Sequence, residues 1–170
     1  MTRVQLIRQL ARGGAALITA LFLAGASTAE SSESPHISRG RYLVKIAGCN
    51  DCHTPGYTQS AGAIPEAQWL IGDKTGWQGP WGTTYPINLR QFMQGMTKAQ
   101  WLEIARQPTR PPMPWFALRD MSDEDLAALY DFIRSLGAAG PAAPAYVAPG
   151  QAVSTPVILM PSKSAVANEK

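Results

Sequence analysis

CNDCH, residues Cys49 to His53, holds both cysteines and one of the two histidines of this 170-residue chain. Two cysteines three positions apart can form a disulfide in an exported protein. They can also act as a redox dithiol or supply half of a zinc site. The histidine that follows directly narrows this choice, because a useful interpretation has to account for all three residues together.

The zinc and dithiol interpretations each lack a partner in the rest of the sequence. A zinc site needs two more ligands, and His36 is the only other histidine. A thioredoxin-like dithiol belongs to a strand–helix alternation that this chain does not show. Cys-x-x-Cys-His is instead the attachment pattern of haem c, in which two thiols add to the haem vinyl groups and the imidazole binds iron. We therefore predict one covalent haem c on Cys49 and Cys52, with His53 as an iron ligand.

The first 29 residues have the layout of a secretory signal. Three arginines lie within residues 1–12, an apolar run of 14 residues covers 13–26, and small residues precede a cleavage position after Ala29. A membrane anchor is the alternative, but a bilayer span needs roughly 20 apolar residues. We expect residues 1–29 to be a cleaved signal peptide that sends the chain to the periplasm.

The charge of the chain changes once this segment is set aside. The sequence has 15 basic and 12 acidic residues, and removing the three N-terminal arginines leaves 12 of each. A near-neutral chain lacks the basic footprint of a nucleic-acid-binding protein. Charged residues make up only 16% of the sequence and hydrophobic ones 45%, which excludes a highly charged disordered chain.

Three segments carry a resemblance to a known family. They are GRYLVKIAGCNDCHT at 40–54, PMPW at 112–115, and MSDEDL at 121–126 with YDFIRSL at 130–136. Together they resemble class I c-type cytochromes, most nearly the cytochrome domains associated with bacterial periplasmic or membrane-bound dehydrogenases. The resemblance implies an all-α fold with three or more helices around one haem. The 15 glycines and 14 prolines add the expectation of long loops and an extended C-terminal tail. Those dehydrogenase subunits often carry three haem motifs, whereas this sequence has one, so subunit identity does not follow.

The second axial iron ligand is predicted to be Met113. Prolines on both sides keep it out of a helix, and it matches the ligand-bearing Met-Pro of the resembled family. Met96 and Met121 each precede a helix start, where they can act as hydrophobic staples. Met93 or Met96 remain the alternatives, together with a sixth position that is vacant or bound by His36.

Three helices are predicted from apolar periodicity and capping residues. The first covers about 38–48 with Ser38 as N-cap, the second about 97–106 with a Thr97–Gln100 capping box, and the third follows Ser122 and ends at Gly137. The first helix is expected to present Tyr42, Leu43, Ile46 and Ala47 on one face. Gly40 is expected to allow a close crossing with Leu129 or Phe132 of the third helix.

Residues 54–96 are predicted to form a loop around the haem edge, with a two-stranded hairpin as the alternative. Candidate partners for the haem propionates in this stretch are Trp77, Trp81, Asn88 and Arg90. The cytochrome domain is predicted to cover 30–137, and the Ala/Pro-rich stretch 138–170 to be an extended tail in which residues 157–160 can dock or pair.

These features predict a periplasmic single-haem cytochrome c that carries electrons and is not itself an enzyme. Its expected partners are redox proteins, such as a dehydrogenase donor and an oxidase or another cytochrome as acceptor. We expect no nucleic-acid partner and no transmembrane segment after signal cleavage. Two alternatives remain: a haem-based sensor or peroxidase-like protein in which Met113 leaves the iron, and a non-haem exported domain with a Cys49–Cys52 disulfide.

Overall fold

The computed structural model describes residues 33–161. The predicted signal peptide and the end of the predicted tail, residues 162–170, lie outside the described residues. The helices are α1 (Pro35–Ile46), α2 (Cys49–His53), α3 (Leu89–Gln94), α4 (Lys98–Ile104), α5 (Trp115–Arg119) and α6 (Asp123–Ser135). The strands are β1 (Gly76–Gly79), β2 (Gly82–Thr84) and β3 (Val157–Leu159). The all-α prediction is therefore incomplete, because a small sheet accompanies the helices.

Helix α1 begins earlier than the sequence predicts. Its N-cap is Ser34, and Pro35 occupies the first turn, where a missing N–H costs nothing. Ser38, the predicted N-cap, lies inside the helix and its hydroxyl donates to Glu33 at 2.8 Å. A proline at the first helical position is thus the stronger start signal here.

The buried face of α1 also differs from the predicted one. Gly40, Leu43 and Val44 are buried, whereas Tyr42 and Ile46 are 50% and 60% exposed. The core-facing side of α1 is therefore formed by Gly40, Leu43 and Val44. Of the four residues predicted to share one face, only Leu43 is buried.

Helices α1 and α6 cross in close contact at Gly40. A Cβ atom at this position would lie 2.1 Å from the carbonyl oxygen of Ala128 and 2.6 Å from the Cβ of Phe132. The predicted close approach is confirmed for Phe132, while Ala128 takes the place proposed for Leu129. Only glycine lets the two helix backbones come this close.

The capping predictions for the two later helices are confirmed. Thr97 and Gln100 form a reciprocal capping box at the start of α4. The Ser122 hydroxyl accepts from the backbone N–H of Asp125 at 3.1 Å at the start of α6. Gly137 follows the end of α6 with φ of +68°, the left-handed conformation of a C′ residue.

The hairpin alternative for residues 54–96 is the one that forms. Strands β1 and β2 pair in antiparallel fashion, and β3 adds in parallel to β1, which gives the order β2-β1-β3. The 157–160 segment therefore pairs, as one prediction allowed. Loops occupy much of the remaining stretch, together with helix α3 and a short 3-10 turn at Glu66–Gln68.

Arg90 holds the end of α6 and does not serve the haem propionates. Arg90 is 6% exposed, and its guanidinium donates to the carbonyl oxygens of Gly137 at 2.7 Å and Ala67 at 2.8 Å, and also to that of Leu136. These bonds satisfy carbonyls that a helix end leaves without partners. The predicted propionate role of Arg90 is therefore wrong, because all three contacts are to the backbone.

We expect Arg90→Met to lower the free energy of unfolding by about 2–3 kcal/mol, since three backbone carbonyls lose their bonds to a charged donor. Urea unfolding of the purified protein measures this loss. The matched control is Arg119→Met, whose side chain is 49% exposed and should matter by less than about 0.5 kcal/mol. Equal effects of the two substitutions would contradict this role.

Candidate functional site

Helix α2 places the two cysteines on one side of a single turn. Gly48, at φ of +70°, separates α1 from α2 and lets the chain start a new helix in another direction. Residues three positions apart in a helix lie on the same face. Cys49 and Cys52 are accordingly neighbours, and both line the same cavity as His53.

The two thiols are free and their surroundings favour the protonated form. Burial raises the pKa of Cys49 to about 11 and also raises the pKa of Cys52. Redox-active dithiols instead have a lowered pKa, because the thiolate is the reactive species. This environment therefore argues against a thioredoxin-like dithiol.

His53 is held in one tautomer by a backbone carbonyl. Its Nδ1 lies 2.8 Å from the oxygen of Ile87. A carbonyl oxygen can only accept, so Nδ1 carries the proton and Nε2 keeps its lone pair. Burial lowers the pKa of His53, although the bond to Ile87 acts in the opposite direction. The ring is therefore neutral and has one nitrogen free to bind a metal.

The carbonyl acceptor for His53 belongs to Ile87, 34 residues further along the chain. The backbone N–H of Gly72 donates to the His53 carbonyl at 2.8 Å. A Cβ at Gly72 would lie 2.9 Å from the Pro86 oxygen. The loop at Gly72 therefore packs between the cysteine motif and the acceptor.

A buried polar link joins the motif to this same loop. Thr54 donates its hydroxyl to the side-chain oxygen of Asn50 at 2.7 Å and accepts from the backbone N–H of Leu70 at 2.8 Å. Both polar side chains are fully buried. The link fixes the end of α2 against the 70–72 loop.

The cavity beside the motif has a volume of about 1230 Å³ and a mostly apolar lining. This is larger than the roughly 300–1,000 Å³ of ordinary small-molecule pockets. Its walls come from α2, the β1–β2 hairpin, the segment 84–93, α4, the 108–118 stretch, α6 and residues 144–146. Such a cavity, with two thiols one helical turn apart and a neutral imidazole, suits haem c in size and chemistry.

Three methionines line this cavity: Met93, Met113 and Met121. Met93 is fully buried in the core, while Met113 is half-buried. Met96 does not line it, which removes one of the two alternatives for the sixth ligand. Met121 was predicted only as a helix staple, and its place on the cavity wall could not be inferred from its sequence neighbours.

The comparison with known proteins agrees with this geometry. The family model for cytochrome c matches residues 37–137, more than half of the chain. The chain belongs to the cytochrome c family. Cytochromes c hold haem c through thioether bonds to its two vinyl groups, so membership of the family implies covalently bound haem c and a role in electron transfer.

One relative adds detail to this membership in the cytochrome c family. The chain is 31% identical over 137 residues to the fructose dehydrogenase cytochrome subunit of Gluconobacter japonicus. The match covers 69% of this chain and 26% of that subunit, so the chain spans about a quarter of its relative's length. No solved structure matches the chain significantly.

Of the four predicted propionate partners in this cytochrome, only Trp77 lines the cavity. Arg90 is committed to the carbonyls described above. Asn88 caps α3 and donates to backbone oxygens beyond α6. The indole N–H of Trp81 is buried and makes no hydrogen bond within residues 33–161. Arg110, which the sequence did not single out, lines the cavity instead.

Proposed function

We propose that this protein is a periplasmic electron carrier whose single haem is bonded to Cys49 and Cys52, with His53 and Met113 as axial ligands. One observation carries the proposal. Met113 lies on the wall of the cavity that also holds both thiols and the neutral imidazole. The family match supports haem binding and electron transfer. The proposal goes further by naming His53 and Met113 as the residues that would bind the iron.

The surrounding residues suit electron exchange without bond chemistry. The haem supplies an iron that cycles between the ferrous and ferric states. Met113 contributes a thioether, which together with histidine favours a raised reduction potential. The apolar lining of the cavity excludes water and disfavours the more highly charged ferric state. The hydrogen bond from His53 to Ile87 fixes the orientation of the imidazole ring.

The relative suggests the class of donor. That protein is a cytochrome subunit of a fructose dehydrogenase. We propose that a dehydrogenase reduces this cytochrome and that an oxidase or another cytochrome accepts its electrons. Mixing the oxidised cytochrome with a substrate-reduced dehydrogenase and following haem reduction by stopped flow tests the donor. Mixing the reduced cytochrome with an oxidase or an oxidised cytochrome and following haem oxidation tests the acceptor. Rates independent of partner concentration would contradict either assignment.

Export to the periplasm is the second part of the proposal. Within residues 33–161, none of the helices is both long and apolar enough to cross a bilayer. The three-part layout of residues 1–29 supports secretion followed by cleavage after Ala29.

We expect the full chain, expressed with its own N-terminus, to appear in the osmotic-shock fraction with Glu30 as its first residue and haem mass added. Intact-protein mass spectrometry measures both features. Leu21→Arg interrupts the apolar run and should keep the chain in the cytoplasm without haem, while Leu21→Val preserves the run and should be exported. Export of the Leu21→Arg variant at the normal level would contradict the proposed signal.

A further inference from the structure

The segment after α6 crosses the cavity and is fixed at both ends. We call residues 139–147 the strap. At its start, the side-chain amide of Asn88 donates to the carbonyl oxygens of Ala139 at 2.7 Å and Pro141 at 2.9 Å. Gln91 donates to the Gly140 oxygen at 2.5 Å. These bonds attach the start of the strap to helix α3.

The far end of the strap is attached to the hairpin. Val147 and Thr83 exchange two backbone hydrogen bonds of 2.8 and 3.0 Å. Gly82 lies against them at φ of +99°, and a Cβ there would be 2.3 Å from the Val147 oxygen. The Tyr146 hydroxyl donates to the carbonyl oxygen of Trp81 at 2.8 Å. The strap therefore needs a glycine at Gly82 to reach the hairpin.

Between these two attachments the strap lines the haem cavity. Pro144, Ala145 and Tyr146 all contribute to the cavity wall. The guanidinium of Arg110 lies 4.1 Å from the centre of the Tyr146 ring, within cation–π distance. Arg110 belongs to the loop of residues 108–114, which carries Met113. The strap thus touches the loop that holds the proposed iron ligand.

The 108–114 loop has few other attachments. In the described part of the chain, residues 108–112 receive one hydrogen bond from outside the loop, from the Thr84 hydroxyl to the Pro111 oxygen at 2.6 Å. The loop has no helix or strand of its own. At the far end of the loop, the carbonyl oxygens of Met113 and Pro114 accept from the backbone N–H groups of Trp115 and Ala117, each at 2.9 Å. The part of the loop before Met113 is held by Thr84 on one side and by the stacking of Arg110 on Tyr146 on the other.

We propose that Tyr146 is a positioning residue that keeps Met113 on the iron by holding the 108–114 loop through Arg110. This inference rests on the proposed function, in which Met113 is the sixth ligand. The strap then closes the cavity and also sets how readily that ligand gives way to another molecule. A loop that is held less firmly opens more often and exposes the iron.

Carbon monoxide binding to the reduced protein measures this opening, because the gas competes with Met113 for iron. The apparent dissociation constant falls in proportion to the rise in the open fraction. For Tyr146→Leu we expect a fall of about two- to fivefold, the range that an exposed cation–π contact supports. The near-infrared Met–iron band of the oxidised protein should stay close to its wild-type intensity at neutral pH, because the loop remains closed in most molecules.

Three further variants separate positioning from general damage. Tyr146→Phe keeps the ring above Arg110 and loses only the hydroxyl, so it should restore the wild-type carbon monoxide affinity. Arg110→Ala changes an exposed side chain and should lower the dissociation constant for carbon monoxide as much as Tyr146→Leu does. The double variant should lower it no further. Leu159→Ser alters an exposed side chain on β3, away from the cavity, and should leave the affinity unchanged.

A Tyr146→Leu protein with a lower melting temperature but unchanged carbon monoxide affinity would overturn the inference. Additive effects of Arg110→Ala and Tyr146→Leu would overturn it as well. Should Tyr146→Leu not fold, Arg110→Ala provides the same comparison. A wild-type protein that lacks the Met–iron band would instead contradict Met113 ligation itself, so the two failures can be told apart.

Discussion

Met113→Ala is expected to lower the reduction potential by on the order of 0.1–0.3 V, within the roughly 0.8 V range that axial ligands span. The substitution should also remove the Met–iron band and let the reduced protein bind carbon monoxide. The physical reason is the loss of the thioether, which favours the ferrous state. Potentiometric titration followed by visible spectroscopy measures the change.

The other methionines on the cavity wall provide the controls. Met93→Leu nearly conserves the volume of a fully buried side chain, and it removes the thioether without opening the core. Met121→Leu does the same at the edge of the cavity. Both should keep the band and the potential. Loss of the band in Met93→Leu or Met121→Leu, with Met113→Ala unchanged, would assign the ligand elsewhere.

Gly40→Ala is expected to cost at least about 3 kcal/mol of unfolding free energy, the upper end of what overpacking usually costs. The new methyl group would meet the Ala128 carbonyl oxygen at 2.1 Å and the Phe132 Cβ at 2.6 Å. Neither atom can move without separating α1 from α6. Denaturant unfolding of the haem-loaded protein gives the loss directly.

Gly95 supplies the matched control, because its nearest neighbour would be 3.5 Å from an added Cβ. Its φ of −82° also suits any residue. Gly95→Ala should leave stability unchanged within about 0.5 kcal/mol. If the two alanine substitutions cost the same, the close crossing of α1 and α6 would not be a determinant of stability.

Features encoded by neighbouring residues were predictable from the sequence. The N-caps and the C′ glycine need only residues within one turn of each other, and these were found at Thr97, Ser122 and Gly137. The family match to residues 37–137 confirms the resemblance that the CNDCH motif and its flanks suggested. Helices α3 and α5 were missed because they have six and five residues, too few to show a clear period.

Features that depend on distant contacts were not predictable. Nothing beside Ile87 marks its carbonyl as the acceptor for His53, because the contact depends on how the 70–72 loop packs. Arg90 has the charge expected of a propionate partner, yet it faces the end of α6. The sequence of the tail has no periodic pattern. Its position depends on contacts with Gly82 of the hairpin and with Asn88, which lie far away along the chain.

The most direct test of the account is one sample of the purified, full-length protein after expression with haem-maturation machinery. Its denatured mass and its reduced and oxidised spectra should be recorded together. The account predicts one added haem mass that survives denaturation, sharp low-spin bands, and a Met–iron band in the oxidised form. A chain mass without haem, lighter by two hydrogens, would show a Cys49–Cys52 disulfide and contradict the account.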